Sequence, residues 1–348
     1  MKNRLLYIPL IGLTMLFVAC DKEPPVQSVV QINEELHIPI YRFDQRIVEI
    51  DTNNLDADLA VLEADMPEFT DLYFKQILGD NSVPHEKIIL DILTDSGYLK
   101  LNRIVQESFD AEDLGSLNSE IAQGLRNYLR VFDLPVSETP SIYTFISGFI
   151  YQSLVFNDEG KEGVALGLEM FLGDDFPYKL TFLDNPMFSD YLTRTYNIQH
   201  LSKRLIEVLV EDKMPAPAKG DFLSLMIWGG KKLYIMDKIL DFKSDTIVLE
   251  YSDSQLEWCR QNEAEMWDYF FDKDLFYKTD MRSFSKLIGP APSSPGMPPE
   301  SPGGTGNYMG LQVVKSYMDR HPEMSIMQLL EINDAQQILD YSKYKPIL

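Results

Sequence analysis

Apolar side chains recur along this chain at two periods, and the change of period divides it. Leu55, Leu59, Leu62 and Met66 step by four, three and four up to Pro67, and Phe69, Tyr73, Phe74 and Ile77 carry the step on to Gly79. Ile88, Ile89, Ile92 and Leu93 form a third stripe. Leu117, Ile121, Leu125, Tyr128, Leu129 and Phe132 form a fourth, closed by Pro135. Spacing of this kind puts the apolar positions on one face of a helix, so the N-terminal half is read as helical. Residues 37–44 alternate instead, and Pro39, which cannot donate to a ladder, confines that strand to a sheet edge. Between 141 and 173 the chain turns β-branched and aromatic. Strands are expected at 141–149, 153–157 and 164–173, with a turn over 157–163.

Downstream the helical period returns. Leu201, Leu205, Val208 and Leu209 mark one helix over 197–210. After Met214-Pro215-Ala216-Pro217 a second, over 222–236, is apolar almost all round and broken only by Gly229, Gly230, Lys231 and Lys232. An all-round apolar helix is a buried one. Ser254 with Glu257 reads as a capping box opening a helix that reaches about Phe271. The run 289–306, dense in Pro and Gly, can form neither helix nor strand. A helix follows it over 307–320, Ser325 caps another, and Asp334 starts the last. The expected fold class is α+β, mainly α-helical with a small mixed β-sheet.

The first residues read differently. Lys2 and Arg4 precede an apolar stretch over 5–18 that is too short and wrongly flanked for a spanning helix, and the stretch ends in Phe17-Val18-Ala19-Cys20. That ending resembles a bacterial lipobox, in which the peptidase cuts before the Cys and the Cys is acylated. The organisation expected is a lipoprotein signal peptide over 1–19, a lipidated tether over 20–35 and one globular domain over 36–348. Cys20 is the lipidation site, and acylation there holds the chain to a membrane without a spanning helix. Cys259 is then the one cysteine left, in a stripe with Leu256, Met266 and Phe270 that reads as packing.

Charge narrows the partners. Lys and Arg number 31 against 54 Asp and Glu, a formal net charge of −23. A surface that acidic repels nucleic acid and anionic head groups, so no nucleic-acid partner is expected.

Candidate chemistry is sparse. A helix pair preceded by strands is the layout of a zincin metallopeptidase, whose first helix carries His-Glu-x-x-His. Here His200 is followed by Leu201 and has Arg204 one turn on, a fixed cation where a second ligand belongs. His85-Glu86 ends in Ile89, and His37 and His321 stand alone. Gly303, Gly304 and Gly306 lead into a helix N-terminus. They admit two readings, an irregular structural loop or an anion site using backbone donors. The candidate groove or loop contacts are therefore His200, Arg204, Gly303, Gly304 and Gly306, with no catalytic residue, metal ligand or cofactor assigned.

The lipobox, the segment 226–240 and the Pro/Gly run from Gly289 with its following helix resemble the gliding motility lipoprotein GldB family of Bacteroidota. The resemblance implies a degenerate zincin-like domain without the zinc motif. It also implies a non-enzymatic component of gliding motility and its associated secretion machinery, in the cell envelope facing the periplasm or the cell surface. Its partners would be other envelope proteins of that machinery, and the membrane through Cys20. The alternative is a zinc-dependent metallopeptidase with a non-standard site.

Overall fold

The structure is a computed structural model and describes residues 36, 38–79, 82–109, 111–181 and 185–346, all within one compact unit, Ile32–Leu348. The signal segment, Cys20, the tether and His37 lie outside the described residues. The strands are β1 (Ile40–Arg42), β2 (Ser141–Phe145), β3 (Ser153–Asp158) and β4 (Lys161–Gly167). Helices of eight residues or more are α1 (Leu55–Asp65), α2 (His85–Thr94), α3 (Ser96–Ser108), α4 (Ala111–Val131), α5 (Ile198–Lys213), α6 (Phe222–Ile239), α7 (Asp253–Gln261), α8 (Glu263–Asp272), α9 (Thr305–Arg320) and α10 (Ala335–Ser342). The class is α+β, mainly helical around one small mixed sheet.

The sheet runs β1-β2-β4-β3, with β1, β2 and β4 parallel and β3 antiparallel to β4. β1 is an edge strand, as Pro39 beside it requires. The β3–β4 hairpin turns on Glu159 and Gly160, both at positive φ, the conformation a two-residue hairpin loop demands. The alternation of the strands assigns the two faces. Ile142, Val164 and Leu166 pack into one core with α4, α5 and the C-terminal part of α6. Tyr143, Phe145 and Ala165 face a second core, built with Phe43, Phe69, Tyr73, Phe74 and the apolar stripes of α1 and α2.

A third core is made by α7 to α10 against the N-terminal half of α6. Phe222, Leu223, Met226 and Ile227 belong to it, whereas Ile235, Met236 and Ile239 belong to the sheet core. One helix serving two cores must be apolar on both sides, which is the physical origin of its all-round pattern.

Several expectations change. The first strand is only three residues long, and Phe43–Arg46 turns helical. β2 stops at Phe145 and β4 at Gly167 because Glu169, fully buried in a 3-10 turn, pulls the 146–149 loop down. Its Oε1 accepts from Ser147 N at 2.7 Å, Ser147 Oγ at 2.7 Å and Phe149 N at 3.1 Å. Helix α3 was not anticipated at all. Its cap is Asp95, whose side chain accepts from Tyr98 N.

The capping box expected at Ser254 and Glu257 lies two residues earlier. Ser252 accepts from Gln255 N at 3.2 Å while Gln255 Oε1 accepts from Ser252 N at 3.1 Å. The helix then breaks at Asn262, whose side-chain amide donates back to the Trp258 carbonyl at 2.7 Å, so α7 and α8 are two helices rather than one reaching Phe271. The Pro/Gly run is loop as far as Gly304, and α9 begins at Thr305, two residues ahead of the expected start.

Candidate functional site

The α5 sequence places Lys203, Arg204, Glu207 and Glu211 within one another's reach at spacings of three and four. These residues form the floor of a cleft of about 480 Å³. Lys232 enters from α6, and Arg194 and Tyr191 from the short helical segment before α5. Glu250 and Tyr251 come from the end of the helix Asp245–Leu249, Gln152 and Ser153 from the head of β3, and Gly303, Gly304 and Asn307 from the start of α9. Lys231 and Lys232, adjacent in a buried helix, part company. Lys231 donates to the Ile332 carbonyl at 2.6 Å and lies in a setting whose burial lowers its pKa to about 8, while Lys232 points into the cleft.

The charged groups form one network. Glu207 Oε2 accepts from Lys203 Nζ at 2.6 Å and Arg204 Nη1 at 2.7 Å, and its Oε1 accepts from Lys232 Nζ at 2.9 Å. Glu250 Oε1 accepts from Lys203 Nζ at 2.9 Å and pairs with Arg204 Nη2 at 2.7 Å. Lys232 also donates to Glu211 Oε1 at 2.7 Å. Lys203 is only 3% exposed, and its two carboxylate partners offset the cost of burying it. Burial works against the charged form of Glu207, yet Lys203, Lys232 and Arg204 outweigh it and hold that carboxyl well below the usual range. Glu250 is lowered in the same way against its own burial, by Lys203 and Arg204. Burial opposes the Arg204 and Lys232 charges too, and the facing carboxylates raise both.

Four cations, Arg194, Lys203, Arg204 and Lys232, face three carboxylates, Glu207, Glu211 and Glu250. The cleft is therefore net positive in a chain whose formal charge is −23. Arg194 at the mouth donates to neutral oxygens, those of Gln255 at 2.9 Å, the Glu250 carbonyl at 2.6 Å and the Tyr191 carbonyl at 3.0 Å. Two buried donors on the lining, Arg204 Nε and Gln152 Nε2, have no hydrogen-bond partner among the described residues. Orphaned buried donors are uncommon and costly, and here both are donors beside a positive cleft.

Of the five contacts read from the sequence, three meet here: Arg204, Gly303 and Gly304. His200 does not line the cleft. It is 8% exposed, with Nδ1 2.9 Å from Asn197 Oδ1, and burial above all lowers its pKa to about 4. Gly306 is also absent from the lining. A Cβ there would lie 2.7 Å from the Leu287 carbonyl and 3.0 Å from the Phe222 ring, so glycine permits close packing of α9. A Cβ on Gly304, at φ +71, would meet its nearest neighbours at an ordinary 3.8 Å, so glycine is required there by conformation instead. The loop before it is held by buried hydroxyls: Ser294 Oγ donates to Pro302 O at 2.7 Å and lies 2.7 Å from Thr305 Oγ1.

The other two described histidines, His85 and His321, have other occupations. His85 Nδ1 lies 2.9 Å from Glu63, and His321 Nδ1 lies 2.7 Å from the Tyr317 carbonyl, its ring stacked on Tyr317. Cys259 is buried, and burial pushes its thiol up to about 12. Among the described residues no group of three or more His, Cys, Asp or Glu side chains is placed to hold a metal, and no helix is long and apolar enough to cross a membrane.

Sequence reasoning did not single out Lys203, Glu207, Lys232, Glu250, Gln152 or Arg194. The i, i+4 pair Lys203–Glu207 and a lysine in an apolar helix were visible signals. Glu250, 47 positions from Lys203, was not.

A family model described as gliding motility protein GldB matches residues 21–346, nearly the whole chain. No curated protein and no solved structure matches.

Proposed function

This chain belongs to the gliding motility protein GldB family, a family of membrane-anchored envelope lipoproteins, and from that premise we propose that it acts as a non-catalytic binding or scaffold component of the gliding apparatus and its associated secretion machinery. The observation that carries the reading is the filling of Glu207 and Glu250. Both carboxylates line the cleft, and both are paired with Lys203 and Arg204, with Lys232 adding to Glu207. A carboxylate pinned by two or three cations, and held well ionised, is a poor general acid and a poor metal ligand. His200, the one imidazole on α5, is kept neutral and outside the cleft.

The proposal extends to a degenerate zincin-like origin. Supporting it are an antiparallel edge strand, β3, and beside it a helix bearing His200 and Arg204 one turn apart. Attachment through acylated Cys20, and envelope proteins as partners, complete the reading. The test is elemental analysis of the purified protein after extensive dialysis, alongside a peptidase assay. Zinc well below one atom per chain with no cleavage is expected. Stoichiometric zinc that is lost on replacing His200 would overturn the reading in favour of a metallopeptidase.

A further inference from the structure

The geometry points to a specific ligand for the cleft: the C-terminal carboxylate of an extended peptide paired antiparallel on the free edge of β3. This rests on the reading of the protein as a binding component and names what it binds.

The strand supplies the first part. Gly167 N donates to Gln152 O at 3.0 Å, so residues 152 and 167 form a hydrogen-bonded pair of the antiparallel ladder. Alternation makes Leu154/Ala165, Phe156/Gly163 and Asp158/Lys161 the next such pairs, in agreement with the register. The backbone groups of Ser153 and Val155 then point outward, where no partner meets them among the described residues. β3 ends the sheet order on that side. An unpaired edge of this kind accepts an added strand through main-chain hydrogen bonds.

Direction supplies the second part. Ser153 begins β3 and lines the cleft, while Asp158 at the far end enters the hairpin turn. A strand added antiparallel therefore finishes with its C-terminus beside Gln152 and Ser153, at the edge of the cationic cluster. A parallel strand would bring its α-ammonium to the same place, against Lys203, Arg204 and Lys232. Charge thus selects the antiparallel arrangement and the carboxylate end.

The lining supplies the third part. The cleft carries more cations than carboxylates, and Arg194 at its mouth has only neutral acceptors. Two orphaned donors, on Gln152 and Arg204, flank the place where the chain would end. Helix α9, sixteen residues long, begins beside Gly303 and Gly304 on the opposite wall, and its N-cap Gly304 has no side chain to cap the first amides. Val208, Leu233 and Ile288 give the last side chain of such a peptide an apolar wall.

The experiment is calorimetric titration of the purified full-length protein in a neutral detergent. The probes are an N-acetylated hexapeptide of alternating Val and Thr with a free C-terminus, its C-terminal amide, a version with alternate backbone nitrogens methylated, and inorganic phosphate. The free acid is expected to bind at least about tenfold more tightly than the amide, since a charge-assisted contact is lost. Methylation is expected to abolish binding, because it removes the donors that pair with β3. Arg194→Gln, at an exposed side chain outside the buried network, is expected to weaken the acid and leave the amide unchanged. Equal binding of acid and amide, no binding of the acid, or phosphate binding as tightly as the peptide would each overturn the proposal. None of these outcomes bears on whether cells lacking the protein glide, so failure here is distinct from failure of the motility role.

Discussion

Gly230 of α6 and Gly310 of α9 meet face to face at the crossing of the two helices. A Cβ on Gly230 would fall onto the Gly310 carbonyl and 2.7 Å from the Leu311 nitrogen, and one on Gly310 would lie 2.8 Å from the Met226 carbonyl carbon. The obstacles are backbone atoms, which cannot rotate away. Gly230→Ala is expected to destabilise the protein by about 1–3 kcal/mol and Gly230→Leu by more. The measurement is the thermal midpoint, and an unchanged value for Gly230→Leu would refute so close a crossing.

Removing a carboxylate from the cleft network should cost more than removing a surface charge. Glu207→Gln leaves Lys203, almost wholly buried, with Glu250 as its one carboxylate partner, and Lys232 with Glu211. Breaking a buried pair from one side costs roughly 3–5 kcal/mol. A urea titration should show the midpoint falling accordingly. Lys87→Met, which breaks an exposed i, i+4 pair with Asp91, should leave the midpoint nearly unmoved.

Acid should weaken the fold in two steps. His200 has a folded pKa of about 4 against an ordinary value of 6.5. The unfolded chain therefore takes up a proton between these limits that the folded chain does not, and stability is lost as pH falls from 6.5 towards 4. At 1.36 kcal/mol per unit this amounts to on the order of 3 kcal/mol. Glu207 and Glu250, both depressed, contribute stability that is present above the ordinary carboxylate pKa of 4.5 and is lost below it. His200→Gln should flatten the first step and leave the second. A variant whose stability still fell between pH 6.5 and 4.5 as in the parent would show that the imidazole is not the group responsible.

Replacing Cys20 with Ala should release the protein from the membrane fraction, because acyl chains on Cys20 are the proposed anchor. Fractionation of envelopes after a high-salt wash checks this. Recovery of the variant with the membranes would point to a second means of attachment.

Element type was legible wherever a side chain's role is set by its near neighbours in the chain. The stripes of α1, α2 and α4, the Pro-bounded pair α5 and α6, the Ser325 capping box and the Asp334 cap all follow from spacings of one to four residues. The ends of β2 and β4 did not, because both are set by Glu169 accepting from a loop about twenty positions away. The same division holds in the cleft. Arg204 stands out in the sequence because its identity one turn after His200 is a local fact, and Gly303 and Gly304 because they run into a helix; all three line the cleft. What those residues face was decided elsewhere: Lys232 arrives from the next helix, Glu250 from a left-handed position beyond it, and Gln152 from the head of an edge strand. A periodic pattern reports which face of an element is apolar. Which charges converge on one another across 25 to 50 residues depends on how the elements pack, and only the tertiary structure sets that.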